Sequence, residues 1–162
     1  MTTSIAGAGI DPAVAGLTAV HVLAAAAWLG AMLYSLFVMQ PRAGRYVASA
    51  EQFERFVTAV SAGARWKVLG VAATVALSGA AAAALTWRGP PSPFGLLVAL
   101  KVALLVPILS IFAYASWMLW PARVMAGRAE IPRYQRAFRL VGWSLIALVS
   151  LECVLGVLTR LA

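Results

Sequence analysis

The sequence predicts an all-α integral membrane protein, a single domain built as a bundle of four transmembrane helices. Hydrophobic residues make up 63% of the 162 residues and charged residues only 11%, whereas soluble domains average about 45–50% and about 25%. Four apolar stretches, at about 14–39, 68–87, 94–120 and 138–159, each reach the roughly 20 residues that a helix needs to cross a bilayer. A soluble enzyme, a disordered tail and a disulfide-stapled secreted domain are therefore excluded. No internal repeat is evident.

The basic residues predict how the chain is oriented in the bilayer. Five of them lie in the connection 40–67 and five in the connection 121–139, whereas the opposite side carries only Arg88 and Arg160. Because cytoplasmic connections are enriched in Lys and Arg, both long connections should face the cytoplasm and both termini the exterior. The net charge of +8 then reflects orientation, and we expect no nucleic-acid partner.

The first long connection predicts an interfacial helix over about 49–66. Ser49 followed by Gln52 has the spacing of a capping box, which marks the start of a helix. The apolar residues that follow recur at helical spacing, as expected for an amphipathic helix lying along the membrane surface: Phe53, Phe56, Val57 and Val60. An extension of the second span is the alternative. Within the third span, Pro107 predicts a kink.

Three ionisable residues lie inside predicted spans, and they are the main functional candidates. A charged group in a span costs roughly 2.5–3.5 kcal/mol on insertion scales, so such residues commonly mark functional sites. His21, which is the only histidine, Lys101 and Glu152 each lie eight or nine residues from the outer end of their helix, a depth of roughly 12–14 Å. We expect them to form one polar site near the outer face. The small residues Ser78 and Gly79 of the second span would let the bundle close around it.

The roles of Lys101 and Glu152 admit several interpretations. They could form an ion pair that only joins two helices, since each charge offsets part of the other's desolvation. They could instead form a pair that also binds a ligand or moves a proton. Lys101 could also extend its long stem to the outer headgroups. Trp28 and Cys153 are expected to line the site.

His21 is the candidate ligand for a metal ion or for heme. Cu(I) prefers imidazole and thioether ligands, and a possible soft-metal path leads from His21 to Met32, Met39 and Met118 in the cytoplasmic half. Ordinary helix packing explains the same methionine stripe. With one histidine in the chain, a bis-histidine heme is excluded. A heme held by His21, alone or with Lys101, is chemically allowed.

The first span resembles the opening signature of the copper-resistance D (CopD) membrane domain, through His21, Trp28 and Gly30. Later spans resemble the same family, in Phe94-Gly95 before Lys101 and in Leu151-Glu152 before Gly156. The resemblance covers about residues 17–160. It implies a bacterial inner-membrane protein of copper transport or homeostasis, for which a periplasmic copper protein or other membrane subunits are the expected partners.

A second resemblance is to HemJ-type protoporphyrinogen oxidases, which have a similar His…Trp motif in an early span and a lysine in a later one. It implies a heme-binding membrane oxidoreductase with heme at His21 and with Lys101 near the substrate. A third hypothesis is a structural subunit of a larger membrane complex, in which the charged pair serves assembly alone.

Overall fold

The computed structural model describes residues 11–86 and 93–161. Throughout these two ranges the regular structure is helical, and four helices are long and apolar enough to cross a membrane. They run over Pro12–Tyr46, Ala64–Thr86, Phe94–Val124 and Ile131–Thr159. The predicted class, an all-α bundle of four membrane helices, is confirmed. The predicted outer connection with Arg88 lies outside the described residues.

The first span is one continuous helix made of three pieces. Helix α1 covers Pro12–Tyr34, a wider π-helical segment covers Ser35–Met39, and α2 covers Gln40–Tyr46. Asp11 starts α1, because its side chain accepts a hydrogen bond of 2.9 Å from the amide of Ala13, as an N-cap does. The helix therefore continues past residue 39, where the apolar stretch ends.

A separate helix, α3, covers Ala50–Val60. The Ser49 hydroxyl accepts a hydrogen bond of 3.2 Å from the Gln52 amide, and the Gln52 side chain accepts one of 3.0 Å from the Ala48 amide. Gly63 then adopts a φ of 72°, which favours glycine, and it separates α3 from the next helix. The alternative of a simple extension of the second span is therefore wrong, whereas the placement of α3 at a membrane surface stays a prediction.

The second span is helix α4, Ala64–Thr86, and the fourth is α7, Ile131–Leu161. The third consists of α5, Pro93–Ala113, a second π-helical segment, Tyr114–Leu119, and α6, Trp120–Val124. Pro107 lies inside α5 and does not end it. Helix α7 starts seven residues before the apolar stretch predicted at 138, because backbone hydrogen bonding continues through its polar first turns.

Both π-helical segments precede a proline, Pro41 in the first span and Pro121 in the third. Proline has no amide hydrogen and collides with the carbonyl group four residues earlier. A wider turn, of the kind found in single-turn π-bulges, relieves that collision without ending the helix. Pro41 and Pro121 therefore favour the two irregular segments, but a proline does not produce one by itself, because Pro107 lies in a regular stretch of α5.

The bundle consists of two helix pairs that pack against each other. Helix α1 packs along α4, and α5 packs along α7, while α1 also touches α7. One buried cluster joins all four spans: Trp28, Ala72, Ile108, Leu145 and Val149. Most other buried side chains lie toward the end of the bundle that carries α3, which we call the inner end.

The two helix pairs repeat one layout, although the sequence shows no obvious repeat. Three pairs of residues mark matching levels of the first and third spans at a spacing of 80: Trp28 and Ile108, Tyr34 and Tyr114, Pro41 and Pro121. Three further pairs mark matching levels of the second and fourth spans at a spacing of 77: Trp66 and Trp143, Ala72 and Val149, Gly79 and Gly156. Lys101 lies 80 residues after His21, so its position in the third span matches the position of His21 in the first span.

Candidate functional site

His21 is held between α1 and α4 by polar groups of the second span. Its Nδ1 lies 2.8 Å from the carbonyl oxygen of Val75 and 3.4 Å from the hydroxyl of Ser78. A carbonyl oxygen can only accept, so the Nδ1–H of His21 donates this bond. When the ring is neutral, its lone pair is therefore on Nε2, and a bond of this kind fixes both the tautomer and the ring orientation.

Small residues of α4 make room for the imidazole. A Cβ at Gly79 would lie 2.8 Å from Cε1 and 2.9 Å from Nδ1 of His21, closer than van der Waals contact allows. Ser78 is buried, and its hydroxyl donates to the carbonyl oxygen of Thr74. The Ser78 oxygen is thereby oriented to accept from the imidazole. The imidazole is thus held by three neighbouring residues of α4: Val75, Ser78 and Gly79.

Lys101 occupies the corresponding position in the second helix pair. Its Nζ lies 3.4 Å from the place that a Cβ at Gly156 would take, so this ammonium lies over Gly156 much as the imidazole lies over Gly79. Glu152 lies one turn earlier on α7 than Gly156. Lys101 and Glu152 are not joined by a direct ion pair, since the salt bridges of the described chain join other residues.

One carboxylate oxygen of Glu152, on the same helix pair as Lys101, is left without a hydrogen bond among the described residues. This atom, Oε1, is buried. A buried carboxylate oxygen without a donor is costly, because it has lost its water without replacement. This carboxylate is therefore a group that a proton or a donor from outside the chain would stabilise.

The predicted cluster of three ionisable residues is thus divided between two helix pairs. Helix α1 begins at Pro12 and α5 at Pro93, so His21 and Lys101 lie nine and eight residues into their helices, and their depth in a bilayer stays a prediction. His21 contacts α4, and Lys101 lies against α7. That all three groups meet in one site stays a prediction.

The other predicted site residues have varied surroundings. Trp28 belongs to the buried cluster, and Met32 packs against it. Met39 lies at the inner end beside Arg42, Met118 is 65% exposed, and Cys153 is a half-buried free thiol next to Glu152. These three methionines therefore do not share one environment.

A polar cluster at the inner end was not anticipated from the sequence. Arg123 donates to Glu54 through Nε at 2.6 Å and Nη2 at 2.9 Å, and Gln135 donates to the same carboxylate at 2.9 Å. We call Glu54, Arg123 and Gln135 the inner clamp. The Arg123 guanidinium also lies 4.7 Å from the ring centre of Phe138. The sequence feature that could have indicated this cluster is the presence of two acidic residues, Glu51 and Glu54, in an otherwise basic connection.

The inner clamp sets the charge state of Glu54. Burial alone would raise the pKa of this carboxyl group. The hydrogen bonds from Arg123 and Gln135, together with the charge of Arg123, lower the pKa by more than burial raises it. The net effect is a pKa below the ordinary value of 4.5. Glu54 is therefore ionised at neutral pH, and its charge holds α3 to the third and fourth spans.

Comparisons with protein-family models, with curated proteins and with solved structures gave no match. Within residues 11–86 and 93–161, no group of three or more His, Cys, Asp or Glu side chains is placed to hold a metal ion. The described chain thus offers single donor groups, of which the oriented imidazole of His21 is the best defined.

Proposed function

We propose that this protein is a CopD-like bacterial inner-membrane protein of copper transport or homeostasis, and that His21 is its copper ligand. The observation that carries the proposal is the 2.8 Å contact between Nδ1 of His21 and the carbonyl oxygen of Val75. A metal-binding imidazole commonly donates its other ring nitrogen to a carbonyl or carboxylate, which orients the ring and increases its basicity. In this proposal Nε2 binds the ion.

The small number of copper ligands in the chain favours transport of copper rather than storage. One imidazole is a weak site on its own, because Cu(I) is held tightly by sets of imidazole, thioether and thiolate ligands. The remaining ligands would come from a partner, for which a periplasmic copper protein is the natural candidate. A weak site lets an ion leave as readily as it arrives.

Lys101 and Glu152 have supporting roles in this proposal. Glu152 is the charge partner of the bound cation or the acceptor of a proton, since its Oε1 lacks a hydrogen-bond partner among the described residues. Lys101 keeps that carboxylate near charge balance when no cation is bound. Both lie near the predicted outer face, where an ion from the periplasm would enter.

A Cu(I) titration of the purified protein in lipid nanodiscs tests the proposal. A chromogenic chelator competes for the ion, and wild type is compared with His21→Ala. The matched control is Leu23→Ala, because Leu23 lies two residues away on the same helix and is 69% exposed. We expect His21→Ala to lose binding and Leu23→Ala to keep it. Equal binding by all three proteins would refute the role of His21.

A heme-binding oxidoreductase is the second candidate, because the same orientation of His21 suits an iron ligand. The axial imidazole of a heme protein also binds iron through one nitrogen and donates a hydrogen bond from the other. When bound, heme would supply the redox chemistry, and His21 would hold the iron. Expression with added heme followed by an absorption spectrum separates the candidates. A Soret band that His21→Ala removes would favour heme over copper.

A further inference from the structure

A groove lies at the inner end of the first span, away from His21 and Lys101. It has a volume of about 350 Å³ and lies between the first span and α3. Its wall is apolar, with Val38 and Met39 on one side and Phe56 of α3 on the other, and Arg42 is its single basic residue. Tyr34 and Tyr46, which are largely exposed, also line it. We call this the inner groove.

The inner end of the third span serves as an internal comparison. Arg42 lies one residue after Pro41, and Arg123 lies two residues after Pro121, each just past a π-helical segment. Arg123 is buried, with 9% of its side chain exposed, and it meets the carboxylate of Glu54. Arg42 is exposed, and the salt bridges of the described chain do not include it. Helix α3 thus provides an anion for one of the two arginines and an apolar side chain, Phe56, beside the other.

We propose that the inner groove binds an anionic phospholipid, whose phosphate takes at Arg42 the place that Glu54 takes at Arg123. A guanidinium binds phosphate oxygens through two parallel hydrogen bonds, as it does a carboxylate. The apolar wall of Val38, Met39 and Phe56 suits the glycerol backbone and the start of an acyl chain. This site is independent of whatever His21 binds.

The surroundings favour a lipid over a soluble ligand. Exposed tyrosines at the end of a span mark the level of lipid headgroups, and Tyr46, the last residue of the first span, lines the groove. Basic residues beside a membrane attract anionic lipids with about 1 kcal/mol each. A soluble oxyanion would use Arg42 and leave the apolar wall uncovered.

Native mass spectrometry of the full chain tests the proposal. Wild type, Arg42→Gln and Arg45→Gln are purified with an equal mixture of phosphatidylglycerol and phosphatidylcholine, and the lipids retained on each are counted. Arg45→Gln is the matched control, since it removes the same charge three residues away, outside the groove. We expect wild type and Arg45→Gln to prefer phosphatidylglycerol, and Arg42→Gln to lose about fivefold of that preference, the equivalent of about 1 kcal/mol.

A second variant tests the groove without altering charge. Ala43 lies in the groove wall, so Ala43→Leu should fill space and reduce lipid retention while Arg42 stays in place. Equal losses in Arg42→Gln and Arg45→Gln, or full retention in Ala43→Leu, would overturn the proposal. Displacement of the lipid by soluble glycerol phosphate would also overturn it, because the site would then take a free oxyanion.

Discussion

Arg123 and Glu54 join the third span to α3 through two parallel hydrogen bonds, at 2.6 and 2.9 Å. Their side chains are only 9% and 15% exposed, so this ion pair is largely screened from water. Glu51 and Arg128 form a second ion pair nearby, in which the arginine side chain is 86% exposed. Both pairs start from α3, but Arg123 lies in α6 and Arg128 in the connection after it, and the two pairs differ strongly in burial.

Burial should make the two ion pairs differ in stability. We expect Glu54→Gln to lower the free energy of unfolding by about 3 kcal/mol, because it leaves Arg123 buried without its counter-charge. Glu51→Gln should cost less than about 1 kcal/mol, as exposed pairs contribute little. Chemical unfolding in a mild detergent measures both. Equal losses in the two variants would contradict this assignment of burial.

The inner clamp should also respond to pH in one direction. The pKa of Glu54 is lowered in the folded protein, so its stabilisation is present above the ordinary value of 4.5 and is lost as the pH falls through the lower, folded pKa. Unfolding midpoints of wild type and Glu54→Gln, measured from neutral to acidic pH, should converge below about pH 4.5. A difference that stays constant at acidic pH would show that Glu54 does not carry it.

Gly79→Ala should displace His21. The added Cβ would lie 2.8 Å from the ring, so the imidazole must move away from the Val75 carbonyl. Loss of such an orienting bond typically costs about 10-fold to 100-fold in metal affinity, and we expect the Cu(I) titration to show a loss of that size. Gly70→Ala on the same helix is the control, because nothing lies within 4 Å of its added Cβ. Unaltered affinity in Gly79→Ala would mean that the ring orientation does not matter.

Lys101 and Glu152 should be coupled although they do not form a direct ion pair. Lys101→Met or Glu152→Met alone leaves one charge without its counterpart in an apolar setting, and the double variant removes both. We therefore expect thermal unfolding in detergent to show that each single variant is less stable than the double variant. If both single variants unfold like wild type, the two charges do not interact.

The spans could be predicted because a bilayer sets both their length and their composition. The start of α1 at Pro12 and the cap of α3 at Ser49 also follow from local chemistry. The π-helical segments could not be predicted, since Pro107, Pro41 and Pro121 look alike in sequence and only the last two follow a widened turn. What surrounds each proline in the bundle decides this.

The sequence predicted a level for the candidate site but not the partners of its residues. The spacing of His21 and Lys101 from their helix starts predicts a shared level, which stays a prediction, and small residues such as Gly79 were expected at the same level of the second span. A carbonyl group as the partner of His21 could not be foreseen, because Val75 carries no polar side chain. The inner clamp was missed because Glu54 looked like an ordinary polar residue of an amphipathic helix.

Buried side chains are distributed unevenly along the bundle. Of the buried side chains described, only Ser78 and Leu155 lie on the outer side of the layer that contains Trp28 and Ile108. Regions with few buried contacts open at the lowest free-energy cost. We therefore expect the helices to separate more readily at the end opposite α3 than at the end that carries α3. If His21 binds a ligand as proposed, a ligand that enters from the end of the bundle opposite α3 would reach the imidazole without disturbing the buried layer that contains Trp28.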